Sequence, residues 1–546
     1  MEMLYRADNC DGTYRNPIIY ADFSDPDVIR DEDIFYLTAS SFNYTPGLPI
    51  LRSYDLVNWE LVNYALKNVP GDRFRIPRHS EGVWAPSIRK HNGMYYIYFG
   101  MPDEGIFMVQ APDPLGEWSE PVCLLPGKGY IDPCPLWDED GRAYIVHAYA
   151  KSRIGFKSIL GLFEMSGDGR HAVSRDRFIF DGNDPKHPAV TIEGPKIYKR
   201  DGYYYILAPA GGVPEGYQLA LRSRNIEGPY EMRKILDTGD TDVNGPHQGG
   251  LVDAPDGSEW FLHFNDAGVY GRITYLEPVN WKEGWPVAGI DRNGEGCGEP
   301  VSVFRKPVVN KSAVPAYLQS SDDFKGNACG EAGFPKSPER DEEAPYGLQW
   351  QWLGNHDKSF ASQGPEGLRL YALNPSGDSR PVISGSANVL TQKIICPEFS
   401  SETEADITGL KIGSRAGVAV VGGAFIGLFA EKTAKGVDIC LERDGEEVMR
   451  LEQPDCREVS FRIEFTGKVR LFYRLCCEGT EESSRESASS EDRDGSDSGL
   501  AFIEAGNGFS LSQHHWTGVK TGIFALSPDD NGGYADFRYF RTSELT

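Results

Sequence analysis

Positive charge, metal-type cysteine spacing and long apolar runs are all scarce in this chain of 546 residues. Its 55 Lys and Arg are outnumbered by 81 Asp and Glu, and a net charge of -26 disfavours a nucleic-acid partner, which needs clustered basic residues. The ten cysteines show no spacing typical of a zinc site, so free thiols are expected. No apolar stretch approaches membrane-spanning length, so no membrane partner is expected.

The first residues, 1–6, contain no apolar segment of the signal-peptide type. We therefore expect a cytoplasmic location. The sequence leaves the oligomeric state open, including a homo-oligomer.

Helical periodicity is also rare, whereas alternating aromatic and β-branched runs are common, so the fold class is predicted to be all-β. The 61 Gly and 36 Pro separate many short elements. The length favours two or three domains rather than one core.

A degenerate repeat occurs five times in the first 300 residues. Each unit opens on a polar or aromatic residue close to Pro or Gly, continues through a turn and ends in an aromatic β-run. Its period of roughly 50 to 60 residues is typical of propellers or arrays, and predicts a five-bladed β-propeller over 1–308. The five openings are Asp25-Pro26-Asp27-Val28, Trp84-Ala85-Pro86-Ser87, Asp132-Pro133-Cys134-Pro135, Glu193-Gly194-Pro195-Lys196 and His247-Gln248-Gly249-Gly250.

Three of the five units open on an acidic residue. If the openings lie at matching ends of the innermost strands, Asp25, Asp132 and Glu193 converge on one axis. Converging carboxylates in a pocket are typical of acid/base chemistry. A single Asp before Pro is usually only a turn or cap residue, but the recurrence in three units favours a functional role.

The sequence pattern changes in the last 200 residues. Residues 309–321 are predicted to form a linker, and 322–546 show alternating strands without the repeat, which predicts a β-sandwich. Within it, 478–498 is rich in Ser, Glu and Asp, and we predict a disordered loop there because so few apolar residues cannot offset chain entropy.

Taken in order, these motifs resemble glycoside hydrolase family 43, whose members are five-bladed propellers that cleave xylosides and arabinosides with inversion. The C-terminal region is similar to the concanavalin-like jelly roll found in the xylosidase branch of the family. The matching phrases are Asn16-Pro17-Ile18, Ser24-Asp25-Pro26-Asp27, Ser40-Ser41-Phe42, Trp84-Ala85-Pro86-Ser87-Ile88, Tyr130-Ile131-Asp132-Pro133, Thr191-Ile192-Glu193-Gly194-Pro195, Gly271-Arg272, Gly347-Leu348-Gln349-Trp350-Gln351-Trp352 and Gly533-Tyr534-Ala535-Asp536-Phe537.

The resemblance implies that Asp25 is the general base, Glu193 the general acid, and Asp132 the residue that orients the acid and tunes its pKa. Inversion needs a base that activates water on one face of the sugar and an acid that protonates the leaving oxygen on the other. Both needs are met by carboxyl groups.

Four further residues are candidates for substrate binding. Arg272 could donate hydrogen bonds to sugar hydroxyls or form a surface ion pair, and Phe42 and Trp84 could be sugar platforms or core aromatics. His247 could be a buried core histidine, a substrate contact, or a neighbour of a central calcium ion as in some family members. No cofactor is predicted to be required, and no metal site can be assembled from the sequence.

The function that the resemblance implies is an inverting exo-glycosidase that releases terminal pentoses from short plant-derived oligosaccharides. Its activity would be that of a β-1,4-xylosidase, an α-L-arabinofuranosidase or both. Alternatives are a non-catalytic sugar-binding propeller and a five-bladed fructosidase or phosphorylase. A phosphorylase would need a basic phosphate site, and a retaining enzyme would have closer carboxyl groups.

Overall fold

The structure is a computed structural model that describes residues 3–310, 316–325, 345–454, 456–476 and 501–545. The predicted loop at 478–498 lies outside the described residues, as does part of the predicted linker. Within the described part of the chain the fold is almost entirely β, and the helical elements are the short α1 (Lys151–Ile154) and three single 3-10 turns. None of the described helices is long and apolar enough to cross a membrane.

Five antiparallel four-stranded sheets form the N-terminal domain, one for each sequence repeat, which confirms the predicted five-bladed propeller. We number these blades I to V in chain order, and the first strand of each blade is its innermost strand. A short extra pair, β1 (Thr13–Arg15) with β22 (Val303–Arg305), joins the two ends of the domain. The blade strands are as follows: β2 (Asp27–Asp31), β3 (Ile34–Thr38), β4 (Gly47–Ser53) and β5 (Trp59–Leu66) in blade I; β6 (Trp84–His91), β7 (Met94–Met101), β8 (Gly105–Ala111) and β9 (Val122–Pro126) in blade II; β10 (Tyr130–Trp137), β11 (Ala143–Tyr149), β12 (Ile159–Met165) and β13 (Arg177–Asp181) in blade III; β14 (Lys196–Arg200), β15 (Tyr203–Ala210), β16 (Tyr217–Ser223) and β17 (Glu231–Leu236) in blade IV; β18 (His247–Asp253), β19 (Glu259–Asp266), β20 (Arg272–Lys282) and β21 (Trp285–Ala288) in blade V.

Two seven-stranded antiparallel sheets form the C-terminal domain, which confirms the predicted sandwich. One sheet, in spatial order, contains β23 (Gln351–Trp352), β26 (Val389–Lys393), β35 (Lys520–Leu526), β28 (Arg415–Val421), β29 (Phe425–Lys432), β30 (Val437–Arg443) and β31 (Glu446–Gln453). The other contains β24 (Ala361–Gln363), β25 (Leu368–Tyr371), β36 (Tyr534–Glu544), β27 (Phe399–Asp406), β32 (Glu458–Phe465), β33 (Val469–Cys476) and β34 (Ile503–Phe509).

Burial patterns show which sheet of the sandwich faces the propeller. Strand β27 alternates buried and half-buried residues, as expected for a sheet with one wet face, whereas every residue of β28 and β35 is buried. The first sheet is therefore covered on both sides, by the second sheet and by the propeller. A backbone bridge between Thr45 and Trp352, with hydrogen bonds of 3.0 and 2.6 Å, ties blade I to this sheet.

Candidate active site

Each innermost strand of the propeller is entered through one residue with a left-handed backbone. Such a conformation is uncommon outside glycine, and it clusters at functional sites. It recurs here once per blade, and in four blades the next residue is a proline. The residues are Asp25 (φ 54°), Ala85 (φ 33°), Asp132 (φ 56°), Gly194 (φ 55°) and Gln248 (φ 43°).

This shared geometry corrects the alignment of the three acids. Asp25 and Asp132 occupy the left-handed position, but in blade IV that position is taken by Gly194, and Glu193 lies one residue earlier. The sequence comparison aligned the acids by charge, whereas the backbone register is fixed by the turn that precedes the proline. The residues at the earlier position in blades II, IV and V are Trp84, Glu193 and His247.

Asp25 is buried and fully engaged in hydrogen bonds, with 4% of its surface exposed. The Ser40 hydroxyl donates to its Oδ2 at 2.6 Å, and Nη1 of Arg272 donates to its Oδ1 at 2.6 Å. Ser40 is itself oriented because its Oγ accepts the backbone N–H of Ala85 at 2.7 Å. The two donors therefore hold the Asp25 carboxyl group in one orientation.

Asp132 is the acid whose ionisation the surroundings disturb most. Burial, then the neighbouring charges of Glu193 and Asp25, raise its pKa from 3.8 to about 8. The Gly194 backbone N–H, which donates to Oδ2 at 2.8 Å, and the charge of Lys196 oppose that rise. The structure therefore brings the three acids from blades I, III and IV into one electrostatic cluster, in which the charges of Glu193 and Asp25 act on Asp132.

Glu193 is the acid that reaches solvent, with 29% of its side chain exposed. Its Oε1 lies 3.4 Å from Nε2 of the fully buried His247. The next residue, Gly194, has a positive φ, and a Cβ added there would lie 2.6 Å from the side-chain carbonyl carbon of Gln248. Gly194 thus lets the chain pass closely beneath the acid while its N–H binds Asp132.

Arg272, predicted as a binding residue, contacts the cluster through Asp25. Its guanidinium also lies over two rings, 4.6 Å from the centroid of Phe264 and 5.4 Å from that of Trp516. Trp516 comes from the sandwich, is 43% exposed and was not identified from the sequence. A tryptophan more than 200 residues from any repeat motif gives no sequence signal for this position.

The other three predicted binding residues lie in different surroundings. Phe42 is 4% exposed and packs in an apolar cluster between propeller and sandwich that includes Tyr44 and Phe524. Trp84 is half-buried, its indole N–H donates to the Ser80 carbonyl at 3.0 Å, and Arg153 lies 5.7 Å from its ring. Contact between any of these side chains and a sugar stays a prediction.

A metal near His247 finds little support in the donor set. Its Nδ1 is buried without a hydrogen-bond partner, as a ligand atom could be. Among the described residues, however, no group of three or more His, Cys, Asp or Glu side chains could hold a metal ion. Because the donors present do not fit such an ion, no step below is routed through one.

Asp22 is a further residue that the sequence did not single out. Its Oδ1 accepts the backbone N–H of Arg272 at 3.0 Å, and its Oδ2 accepts the N–H of Gly518, from the sandwich, at 2.9 Å. The Lys520 ammonium lies 3.8 Å away. One buried carboxylate thus joins the arginine that holds Asp25 to the segment that carries Trp516. The sequence indicates this role of Asp22 only weakly, because two other aspartates, Asp25 and Asp27, lie in the same motif.

Comparison with known proteins agrees with this fold. The family model for glycosyl hydrolases family 43 matches residues 14–286, and that for the β-xylosidase C-terminal concanavalin A-like domain matches 341–543. The chain is 35% identical to a putative β-xylosidase of Xylanibacter ruminicola, over 94% of this chain and 87% of that one. It is 30% identical to a non-reducing end α-L-arabinofuranosidase of Bacteroides ovatus, over 68% of each.

Among solved structures, a bifunctional GH43-CE protein of Bacteroides eggerthii superposes with a TM-score of 0.77 at 27% identity. The match covers 97% of this chain and 64% of that one, so this chain spans less than two thirds of that protein. Both domains and their order are therefore shared with the family. The chain belongs to glycosyl hydrolases family 43, and is an inverting glycoside hydrolase.

Proposed function

We propose that this hydrolase removes a terminal pentose from short plant-derived oligosaccharides, as a β-1,4-xylosidase, an α-L-arabinofuranosidase or both. The observation that carries the proposal is that the three converging carboxyl groups have different surroundings. Asp25 is fixed in an ion pair, Asp132 is buried with a raised pKa, and Glu193 is open to solvent. The names of the relatives supply the sugar class.

Asp25 suits the role of general base. The donors Ser40 and Arg272 hold its carboxyl group in one orientation. A water beside it would give up a proton to the carboxylate as its oxygen bonds to the anomeric carbon. A base fixed in this way loses little entropy on reaching the transition state.

Glu193 suits the role of general acid because it is the one carboxyl of the three that a leaving group can reach from solvent. Its proton passes to the glycosidic oxygen as the bond from that oxygen to the anomeric carbon breaks. Water enters on one face and the leaving sugar departs on the other, so the configuration inverts. Asp132, whose Oδ2 accepts the Gly194 N–H at 2.8 Å and whose pKa responds to the charge of Glu193, is then the residue that orients the acid.

The sandwich supports exo action because it places Trp516 beside Arg272. The segment that carries Trp516 is anchored on the propeller by Gly518 and by the N–H of Val519, which donates to the Val269 carbonyl at 2.7 Å. A site bounded on that side by the sandwich fits a chain end better than the middle of a polymer.

The test incubates the enzyme with aryl β-xylosides and aryl α-L-arabinofuranosides while proton NMR follows the first anomer formed. We expect the inverted anomer, and a loss of turnover of xylobiose of about 10²–10⁴-fold in Asp25→Ala and Glu193→Ala. The control is Glu139→Ala, which removes an acid that is 87% exposed on the surface of the propeller. First release of the retained anomer, or a requirement for phosphate, would support the fructosidase or phosphorylase alternative instead.

A cytoplasmic location remains a prediction. A calcium ion near His247 and a homo-oligomer stay open, as the sequence left them. Cell fractionation, calcium titration of the chelated enzyme and light scattering test them in turn.

A further inference from the structure

The segment that leads into Glu193 contains a residue with a strained backbone. Thr191, two positions before the acid, has a φ of 62°, which lies in the left-handed region. For a β-branched residue this conformation is a genuine outlier, and it persists only where the surrounding structure holds it. The contacts that hold Thr191 therefore bear on the position of the acid.

Two neighbouring residues of blade III hold Thr191. The Lys157 ammonium donates to the Thr191 hydroxyl at 2.9 Å, and the Ser158 hydroxyl accepts the Thr191 backbone N–H at 2.8 Å. Both residues lie in the connection between β11 and β12, and so belong to a different blade from the acid. The side chain and the backbone of the strained residue are thus both bound from outside its own segment.

The connection between β11 and β12 is itself fixed to the chain that leads into blade IV. Ser158 is 1% exposed, and its carbonyl accepts the N–H of Gly182 at 2.8 Å. The carbonyl of Lys157 accepts the side-chain amide of Asn183 at 3.1 Å. Gly182 in turn accepts the N–H of Ala189 at 2.9 Å, so these two stretches of chain form one hydrogen-bonded unit.

A single residue, Ile192, separates Thr191 from the acid. Ile192 is 1% exposed, and its N–H donates to the Ala189 carbonyl at 3.0 Å. The N–H of Glu193 donates to the Pro209 carbonyl of β15 at 3.2 Å. The contact of the Glu193 carboxyl group with His247 is long, at 3.4 Å, so the position of this group depends largely on the backbone that carries it. A rotation at Thr191 would therefore move the acid.

The half-buried Lys157 has no ion pair that would account for its position. Among the residues that the structure describes, no carboxylate pairs with its ammonium, whereas Lys199 of blade IV pairs with Asp138. A hydrogen bond from a charged donor is roughly twice as strong as one between neutral groups. The bond to the Thr191 hydroxyl is thus strong enough to oppose relaxation of the turn.

We infer that Lys157 is a positioning residue that holds the strained turn at Thr191, and with it the Glu193 carboxyl group beside the leaving oxygen. This inference rests on the proposed role of Glu193 as the general acid. Without the ammonium, Thr191 can relax toward a negative φ, and the acid moves away from the glycosidic oxygen. A substrate that needs protonation is then affected far more than one that does not.

Two variants remove one partner each from the bond between Lys157 and Thr191. Lys157→Met keeps the apolar stem and removes the donor, and Thr191→Val keeps the branched shape and removes the acceptor. Thr191→Ser retains the hydroxyl and is the conservative variant. The matched control is Lys151→Met, which removes an exposed lysine from the same connection. Circular dichroism and thermal unfolding establish that each variant is folded.

The measurement is kcat/KM on two glycosides of the same pentose that differ in their need for an acid. A disaccharide has a poor leaving group, whereas a 2,4-dinitrophenyl glycoside leaves without protonation. We expect Lys157→Met and Thr191→Val to lose about 10- to 100-fold on the disaccharide, as for a small misplacement of a catalytic group, and less than about 3-fold on the activated substrate. Thr191→Ser and Lys151→Met should stay within about 3-fold of the wild type on both. An equal loss on the two substrates, or no loss on the disaccharide, would overturn the inference.

A double-mutant comparison adds a readout that a general loss of stability would not move. In a Thr191→Gly background a positive φ carries no steric cost and the ammonium has no hydroxyl to bind. Lys157→Met should then cost less than about 3-fold further on the disaccharide. A full additive loss would contradict the inference.

Glu193→Ala distinguishes a failure of this inference from a failure of the proposed function. If Glu193→Ala shows no dependence on the leaving group, the assignment of the acid is wrong and the role of Lys157 falls with it. Dependence in Glu193→Ala but not in Lys157→Met rejects the role of Lys157 alone.

Discussion

The contact between sandwich and propeller buries a lysine whose removal should change how stability depends on pH. Lys520 is 1% exposed, with its ammonium 4.0 Å from the Tyr44 ring centroid and 3.8 Å from Asp22. Burial, and then the like charge of Lys393, lower its pKa from 10.5 to about 7, although Asp22 acts in the opposite direction. The variant to make is Lys520→Met, which keeps the apolar stem and removes the titrating group.

The sign follows from proton binding. Between pH 7 and 10.5 the unfolded chain holds a proton on Lys520 that the folded chain has released. Stability therefore rises with pH across that window, by about 1.4 kcal/mol per pH unit for one proton. From pH 7.5 to 9.5 the gain amounts to about 2.7 kcal/mol. Removing the group removes this gain, so the free energy of unfolding of the variant should fall relative to that of the wild type as the pH rises.

The assay is urea unfolding followed by tryptophan fluorescence at pH 7.5, 8.5 and 9.5. The quantity that matters is the difference in free energy of unfolding between wild type and Lys520→Met, because other titrations cancel in it. Lys435→Met, at an exposed position of the same domain, is the control and should follow the wild-type curve. A difference that stays constant over the three pH values would refute the reasoning, since Lys520 would then be equally protonated in both states.

Two further predictions concern the site itself. In Gly194→Ala the added methyl would meet the side chain of Gln248 at a positive φ, so the turn beneath the acid must shift. We expect kcat on xylobiose to fall at least about 10-fold, by analogy with the loss of a general acid. A wild-type kcat would show that the close approach is not needed. Trp516→Ala removes the exposed ring beside Arg272. KM should rise about 3- to 10-fold with a smaller change in kcat, as expected for a loss of about 0.5–1.5 kcal/mol of binding free energy. An unchanged KM in steady-state kinetics would place the ring outside the substrate site.

The sequence predicted the propeller because a blade is a local structure. Each repeat contains its own turns and strands, so its pattern is legible within 60 residues, and five copies appear as five sheets. The same pattern placed Asp25 and Asp132 at the entrances of innermost strands. It misplaced Glu193 by one residue, since the backbone rather than the charge fixes the register, and only the left-handed position of Gly194 reveals this.

What the repeats could not predict are contacts between distant parts of the chain. From the sequence, Phe42 could be a sugar platform or a core aromatic, and only the packing of the sandwich against it, which leaves 4% exposed, buries it. Gly518, in the segment that carries Trp516, meets the propeller at Asp22, which accepts one N–H from each domain. No local sequence pattern predicts a contact between residues so far apart in the chain.

The sequence by itself thus determined the number of blades, the two-domain order and the identity of the three acids, because each depends on short-range periodicity and residue type. Tertiary structure alone decided the surroundings of those acids. Burial, the ion pair that holds Asp25 and the charges of neighbouring carboxyls act through space, and the raised pKa of Asp132 depends on contacts that no single repeat contains.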